Sequence, residues 1–111
     1  MDLARAMVAT LEETKGENIL LMDIHEIASF TDYFIICSGT SDRMLDALAR
    51  HVVESAETLT EYHYHVEGRS SDGWLLVDLG DIIVHLFSPD QRDYYRLEQL
   101  WDKGKVLIKM Q

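Results

Sequence analysis

The feature that most constrains the fold is a pair of apolar runs, residues 74–79 and 82–87, separated by Gly80-Asp81. A two-residue connection with glycine first suits a tight β-hairpin, so we predict that both runs are strands. If Leu79 lies opposite Ile82, alternation places a wholly aliphatic set of side chains on one face. This set is Leu75, Val77, Leu79, Ile82, Val84 and Leu86. Such a face must be covered by helices.

The second face of the hairpin is aromatic and partly polar. It carries Trp74, Leu76, Asp78, Ile83, His85 and Phe87, with Leu76 opposite His85 and Trp74 opposite Phe87. Either another helix covers this face, or part of it stays open as an aromatic protein-binding surface. A predicted C-terminal helix adds a stripe at i, i+3 and i+7, formed by Tyr94, Leu97 and Trp101, with Arg92 and Arg96 nearby. Such a stripe is usually core, although Trp, Tyr and Arg also dominate binding hot spots.

Two helices are predicted before the hairpin. Leu3, Met7 and Leu11 recur every four residues, which predicts a helix over 2–15 that Gly16 ends. A longer helix follows the turn at 38–41, with Thr40 or Ser41 as its cap. Helical spacing predicts that one of its faces is buried, and that face is Leu45, Leu48, Val52, Ala56 and Leu59.

The remaining elements complete one domain over residues 1–111. Strands are predicted at 18–24, 33–37 and 62–67, a polar loop at 68–73, and an extended segment at 106–109. Ser88-Pro89-Asp90-Gln91 is typical of a helix start, and the helix should run to about Trp101. The order α-β-β-α-β-β-β-α and the apolar strands favour an α/β fold with a mixed β-sheet flanked by helices.

The composition argues against several classes of function. The formal charge of −10 opposes direct DNA or RNA binding and suits a basic protein partner. Cys37, the one cysteine, lies in an apolar run and is expected to be a buried hydrophobe rather than a catalytic thiol. Neither a signal peptide nor a membrane span is predicted, so we expect a cytoplasmic protein.

The sequence offers few candidates for catalysis or metal binding. His63 and His65 share a face of the predicted strand at 62–67, but two ligands do not make a metal site. The turn at Gly39 resembles the Gly-Ser turn of nucleotidyltransferases, which place two carboxylates as D-x-D. Here the candidates Asp78 and Asp81 are three apart and separated by the hairpin turn. We therefore predict no catalytic residue, cofactor or metal, and keep a metal-dependent nucleotidyltransferase as the alternative.

Three stretches together resemble the ribosomal silencing factor (Iojap) family. They are Thr31–Ser41, then Glu67-Gly68 with Gly73–Phe87, and finally Tyr95–Trp101. The resemblance implies a nucleotidyltransferase-like fold without the catalytic carboxylates. It also implies a translation repressor, not an enzyme, that binds a basic large-subunit ribosomal protein of the uL14 type at the intersubunit face. There it would block subunit joining when nutrients are scarce, and the free protein would be a homodimer.

We expect the family's contact surface to combine the mixed hairpin face with the last helix. The candidate residues are Trp74, Leu76, Asp78, Tyr95, Arg96, Leu97 and Trp101. Their sequence positions do not separate ribosome contacts from dimer contacts or core. A third hypothesis, a structural dimer whose aromatic face is consumed by self-association, therefore remains open.

Overall fold

The computed structural model describes residues 1–111 apart from the side chain of Leu100. The helices are α1 (Asp2–Glu13), α2 (Asp42–Thr60), α3 (Pro89–Tyr95) and α4 (Leu97–Leu100). The strands are β1 (Glu17–Asp23), β2 (Tyr33–Ser38), β3 (Val66–Arg69), β4 (Trp74–Asp78), β5 (Ile82–Phe87) and β6 (Lys105–Met110). A 3₁₀ turn at Ser70–Asp72 links β3 to β4. Among these residues, no helix is both long and apolar enough to cross a membrane.

All six strands form one sheet in the order β3-β4-β5-β2-β1-β6. Only β2 and β5 run parallel, and every other neighbouring pair is antiparallel. The prediction of a mixed sheet flanked by helices is therefore confirmed. The C-terminal extended segment is a true strand, since β6 pairs with β1 at one edge of the sheet.

The hairpin has the predicted register and turn. Trp74 lies opposite Phe87, and Leu76 lies opposite His85. The Leu79 amide donates to the Ile82 carbonyl, which leaves Gly80-Asp81 as the connection. Gly80 has a φ of +89°, a conformation that glycine adopts without a Cβ clash. The glycine-first turn therefore has the physical basis that the sequence predicted.

The aliphatic face of the sheet packs against α1 and α2. All six aliphatic hairpin side chains join Leu11, Leu48 and Val52 in the main core. Ser41 begins α2 as predicted, because its Oγ accepts a hydrogen bond from the Met44 amide. The prediction that Leu59 is buried was wrong: this residue is 58% exposed and lies one residue before the C-terminal end of α2.

The third strand was predicted at residues 62–67, but β3 lies later in the chain, at Val66–Arg69. Glu61 adopts a left-handed conformation and ends α2, and the Tyr64 amide then donates to the Glu57 carboxylate. These contacts hold residues 61–65 against α2 instead of the sheet, so β3 begins only at Val66. Because His63 and His65 precede the strand, the prediction that they share a strand face was wrong.

The C-terminal helix is interrupted at Arg96. This residue has φ +49° and ψ +52°, and its amide closes α3 by donating to the Arg92 carbonyl. The break redirects the chain, so Leu97 becomes buried while Tyr94 stays 77% exposed. The prediction of one continuous helix to Trp101 was wrong, and the stripe of Tyr94, Leu97 and Trp101 does not form.

Candidate functional site

An aromatic patch forms where the second face of the hairpin meets α3. We define it as Trp74, Leu76, His85, Phe87 and Tyr95. The centroid of the Trp74 ring lies 4.9 Å from that of Phe87, at an interplanar angle of 30°, and 4.6 Å from that of Tyr95. Phe87 and His85 are buried beneath, Trp74 and Leu76 are partly exposed, and Tyr95 is 40% exposed.

Local sequence explains why these residues meet. Period-2 alternation places Trp74 and Leu76 on one face of β4, and their cross-strand partners Phe87 and His85 on the same face of β5. The Ser88 Oγ then accepts from the Gln91 amide and starts α3 directly after β5. This short connection returns Tyr95 over the Trp74 ring.

His85 is the polar residue of the patch. The Trp74 indole Nε1–H donates to His85 Nδ1 at 3.2 Å, which assigns the proton of the neutral imidazole to Nε2. That Nε2 atom is buried and has no hydrogen-bond partner among the residues described. The side chain is 5% exposed, and burial lowers the pKa of His85 to about 4. The imidazole is therefore neutral at physiological pH.

The second face is covered on one side and partly open on the other. Over β2, Trp101 meets Phe34 edge to face with ring centroids 5.5 Å apart, and Leu97 packs in the same cluster. Over β4, Trp74 and Leu76 remain only partly buried. The prediction of a covered face therefore holds over β2, whereas the part over β4 stays partly open; whether that part binds a protein stays a prediction.

The structure gathers only some of the predicted contact residues. Trp74, Leu76 and Tyr95 belong to the patch, whereas Leu97 and Trp101 support the adjacent covered part. Asp78 lies four residues from Trp74 along β4, about 13 Å away, and its carboxylate accepts from the Gly80 amide. Arg96 is exposed at the helix break, where its Nε donates to the Asp93 carbonyl.

The sequence did not predict the supporting role of Arg92, and it did not single out Phe30 at all. Arg92 donates to Glu98, to the Asn18 carbonyl and to the Ser38 hydroxyl, so it ties α3 and α4 to the sheet. Phe30 is 56% exposed and lies 5.9 Å from the Trp101 ring. The partners of Arg92 are distant in sequence, and residues 25–32 have no periodicity that would have singled out Phe30.

The groups required for nucleotidyl transfer do not converge. Gly39 follows the carboxyl end of β2, whereas the Asp81 carbonyl accepts from Asp32 and Tyr33 at the opposite end. The length of β2 separates the two ends by about 16 Å. Among the described side chains, no three His, Cys, Asp or Glu residues are grouped as metal ligands. Burial also raises the pKa of the Cys37 thiol to about 12, so the thiol is not an activated nucleophile.

Comparisons with known proteins agree on one family. The model of the family described as "Ribosomal silencing factor during starvation" matches residues 1–111. The chain is 38% identical to the ribosomal silencing factor of Bacillus subtilis over 89% of this chain and 84% of that protein. It is 35% identical to mouse "Mitochondrial assembly of ribosomal large subunit protein 1" over 86% of this chain and 43% of that protein.

A solved structure agrees with the sequence comparisons. A crystal structure of a protein from Chromobacterium violaceum matches with a TM-score of 0.86 at 33% identity, and it covers 91% of this chain and 84% of that chain. The resemblance inferred from residues 31–101 is thus supported over the whole chain. The chain belongs to the ribosomal silencing factor family.

Proposed function

We propose that this protein represses translation by binding the large ribosomal subunit through the aromatic patch. Its partner would be a basic large-subunit protein of the uL14 type at the intersubunit face, and the bound domain would sterically prevent joining of the small subunit. This would occur in the cytoplasm when nutrients are limiting. The observation that carries the proposal is the partly open patch of Trp74, Leu76 and Tyr95 in a chain of this family.

The physical character of the patch supports a protein partner. Trp and Tyr bury large apolar areas and are enriched at binding hot spots. The patch lies on a rigid sheet, so little ordering is needed on binding. The net charge of −10 favours approach to a basic partner through long-range attraction. A steric mechanism requires contact and bulk, but no reacting group.

The seven predicted residues have different parts in this proposal. Trp74, Leu76 and Tyr95 would supply the direct apolar contacts, with Arg96 as an exposed charge at the rim. Leu97 and Trp101 would not touch the partner; they would cover the part of the face that lies over β2. Asp78 already caps the hairpin turn, so we assign it a contact only at the far end of β4.

Co-sedimentation with purified ribosomal subunits tests the proposal. We expect the protein to pellet with large subunits and not with small subunits. It should also reduce the formation of joined ribosomes when both subunits are mixed. Failure to pellet with large subunits would refute the proposal.

Two alanine variants place the surface. Trp74→Ala should weaken binding by about 2 kcal/mol or more, because a hot-spot aromatic loses its buried area. Tyr62→Ala is the matched control, since Tyr62 is 70% exposed and lies beyond the end of α2, outside the patch. Tyr62→Ala should bind like the wild type. If folded Trp74→Ala protein also binds like the wild type, the surface is misplaced.

Self-association of the free protein would use the same exposed apolar surface. We propose a homodimer that dissociates when the patch engages the ribosome. Light scattering should give twice the mass of 12.8 kDa for the free protein, and Trp74→Ala should shift it toward the monomer. A dimer that also excludes large subunits would favour the purely structural role.

A further inference from the structure

We infer that His85 is a positioning residue for Trp74, holding the indole in the orientation that the partner recognises. The inference rests on the proposed function, because it deepens the role of the aromatic patch. Its starting observation is the hydrogen bond from Trp74 Nε1–H to His85 Nδ1 at 3.2 Å. His85 itself is buried and is not expected to touch the partner.

The ring contacts of Trp74 leave one motion unrestrained without this bond. Phe87 and Tyr95 lie 4.9 and 4.6 Å from the indole and restrict the tilt of its plane. Such apolar contacts discriminate weakly between the two χ2 orientations, about 180° apart, that keep the indole in nearly the same plane and exchange its two edges. A hydrogen bond is directional, so the bond to His85 fixes which edge of the indole faces inward and which faces the solvent.

The surroundings of His85 show that histidine is not present for packing alone. Its cross-strand neighbours are Leu76 on β4 and Ile36 on β2, and Phe34 packs against its ring at 4.8 Å. An apolar side chain would fill this place without burying an unpartnered Nε2–H. Among the described contacts, the Nδ1 acceptor for Trp74 is the polar interaction that the ring supplies.

Preorganisation links this bond to affinity. A mobile interface side chain loses rotational freedom on binding, and this loss weakens the complex. His85 removes that loss in advance by ordering the Trp74 side chain in the free protein. The neutral imidazole with its proton on Nε2 is the form that can accept the bond.

Nuclear magnetic resonance of the free protein tests the bond directly. Trp74 and Trp101 are the two tryptophans, so a ¹⁵N-labelled sample should give two indole N–H signals, which Trp74→Phe assigns. His85→Leu should move the Trp74 signal and speed its exchange with solvent, while leaving the Trp101 signal in place. His85→Asn, whose Oδ1 can replace the Nδ1 acceptor, should restore much of the protection. Unchanged Trp74 protection in folded His85→Leu protein would overturn the inference.

Large-subunit binding supplies the second readout. His85→Leu should weaken binding by roughly threefold to tenfold, and His85→Asn should weaken it less. In the Trp74→Phe background, which lacks the indole donor, His85→Leu should add little further loss. If wild type does not bind large subunits, the proposed function fails. If wild type binds and His85→Leu binds equally well, only the positioning role fails.

Discussion

Acid should destabilise this protein in part through His85. The folded imidazole is 5% exposed with a pKa of about 4, against an ordinary value of 6.5 for the unfolded chain. Between these two values the unfolded state binds the proton and the folded state does not. The His85 contribution to stability is therefore complete above pH 6.5 and is lost as the pH falls toward 4.

The size of the effect follows from the two pKa values. One pKa unit corresponds to about 1.4 kcal/mol, so the full difference is worth about 3 kcal/mol below pH 4. At pH 5 the unfolded imidazole is almost fully protonated and the loss is about 2 kcal/mol. Because the imidazole is almost completely removed from solvent, little of this magnitude is screened by water.

Urea denaturation at pH 7 and at pH 5 measures this loss. Carboxylates also titrate in acid, so the informative quantity is the difference between the wild type and His85→Leu. We expect the wild type to lose about 2 kcal/mol more than His85→Leu between these pH values. The matched control is His63→Gln, which removes an imidazole that is 92% exposed and should behave like the wild type. Parallel losses in the wild type and His85→Leu would refute the assignment of a neutral, buried imidazole.

Three further predictions concern the fold. Gly16→Ala should reduce the free energy of unfolding by about 2 kcal/mol, since a Cβ there would clash with the Cys37 Sγ; calorimetry would show the lower Tm. Gly80→Ala should reduce it by roughly 1–2 kcal/mol through backbone strain alone, because no heavy atom beyond the adjacent residues lies within 4 Å of the new methyl; an unchanged urea midpoint would contradict this. Leu48→Ala should lower the free energy of unfolding by about 2–5 kcal/mol, because Leu48 is fully buried. Leu59→Ala should lower it by about 0.5 kcal/mol or less, because Leu59 is 58% exposed. Equal losses in urea denaturation would refute the burial assignment.

Several parts of the patch could be predicted because their causes are local. Alternation along β4 and β5 has a period of two, so the Gly80-Asp81 turn was enough to pair Trp74 with Phe87. The face of each side chain then followed without knowledge of the rest of the chain. The caps at Ser41 and Ser88 were equally predictable, because a serine side chain satisfies amides only three residues away.

Other parts of the patch depended on contacts between distant residues. The break at Arg96 places a non-glycine residue at positive φ, which no propensity favours. It occurs where Arg92 binds Asn18 and Ser38, and where Leu97 turns into the second core cluster. The spacing i, i+3 and i+7 carries no information about these contacts with distant residues, so the sequence predicted a continuous helix.

The sequence by itself determined β1, β2, β4 and β5, the starts of α1, α2 and α3, and the two faces of the hairpin, because hydrogen bonding and alternation act over a few residues. Only the tertiary structure decided which half of the aromatic face stays open. It also separated Gly39 from Asp78 by the length of β2 and placed His85 Nδ1 beside the Trp74 indole. These relations depend on strand order and helix placement, which are set by packing across the whole chain and not by any single segment.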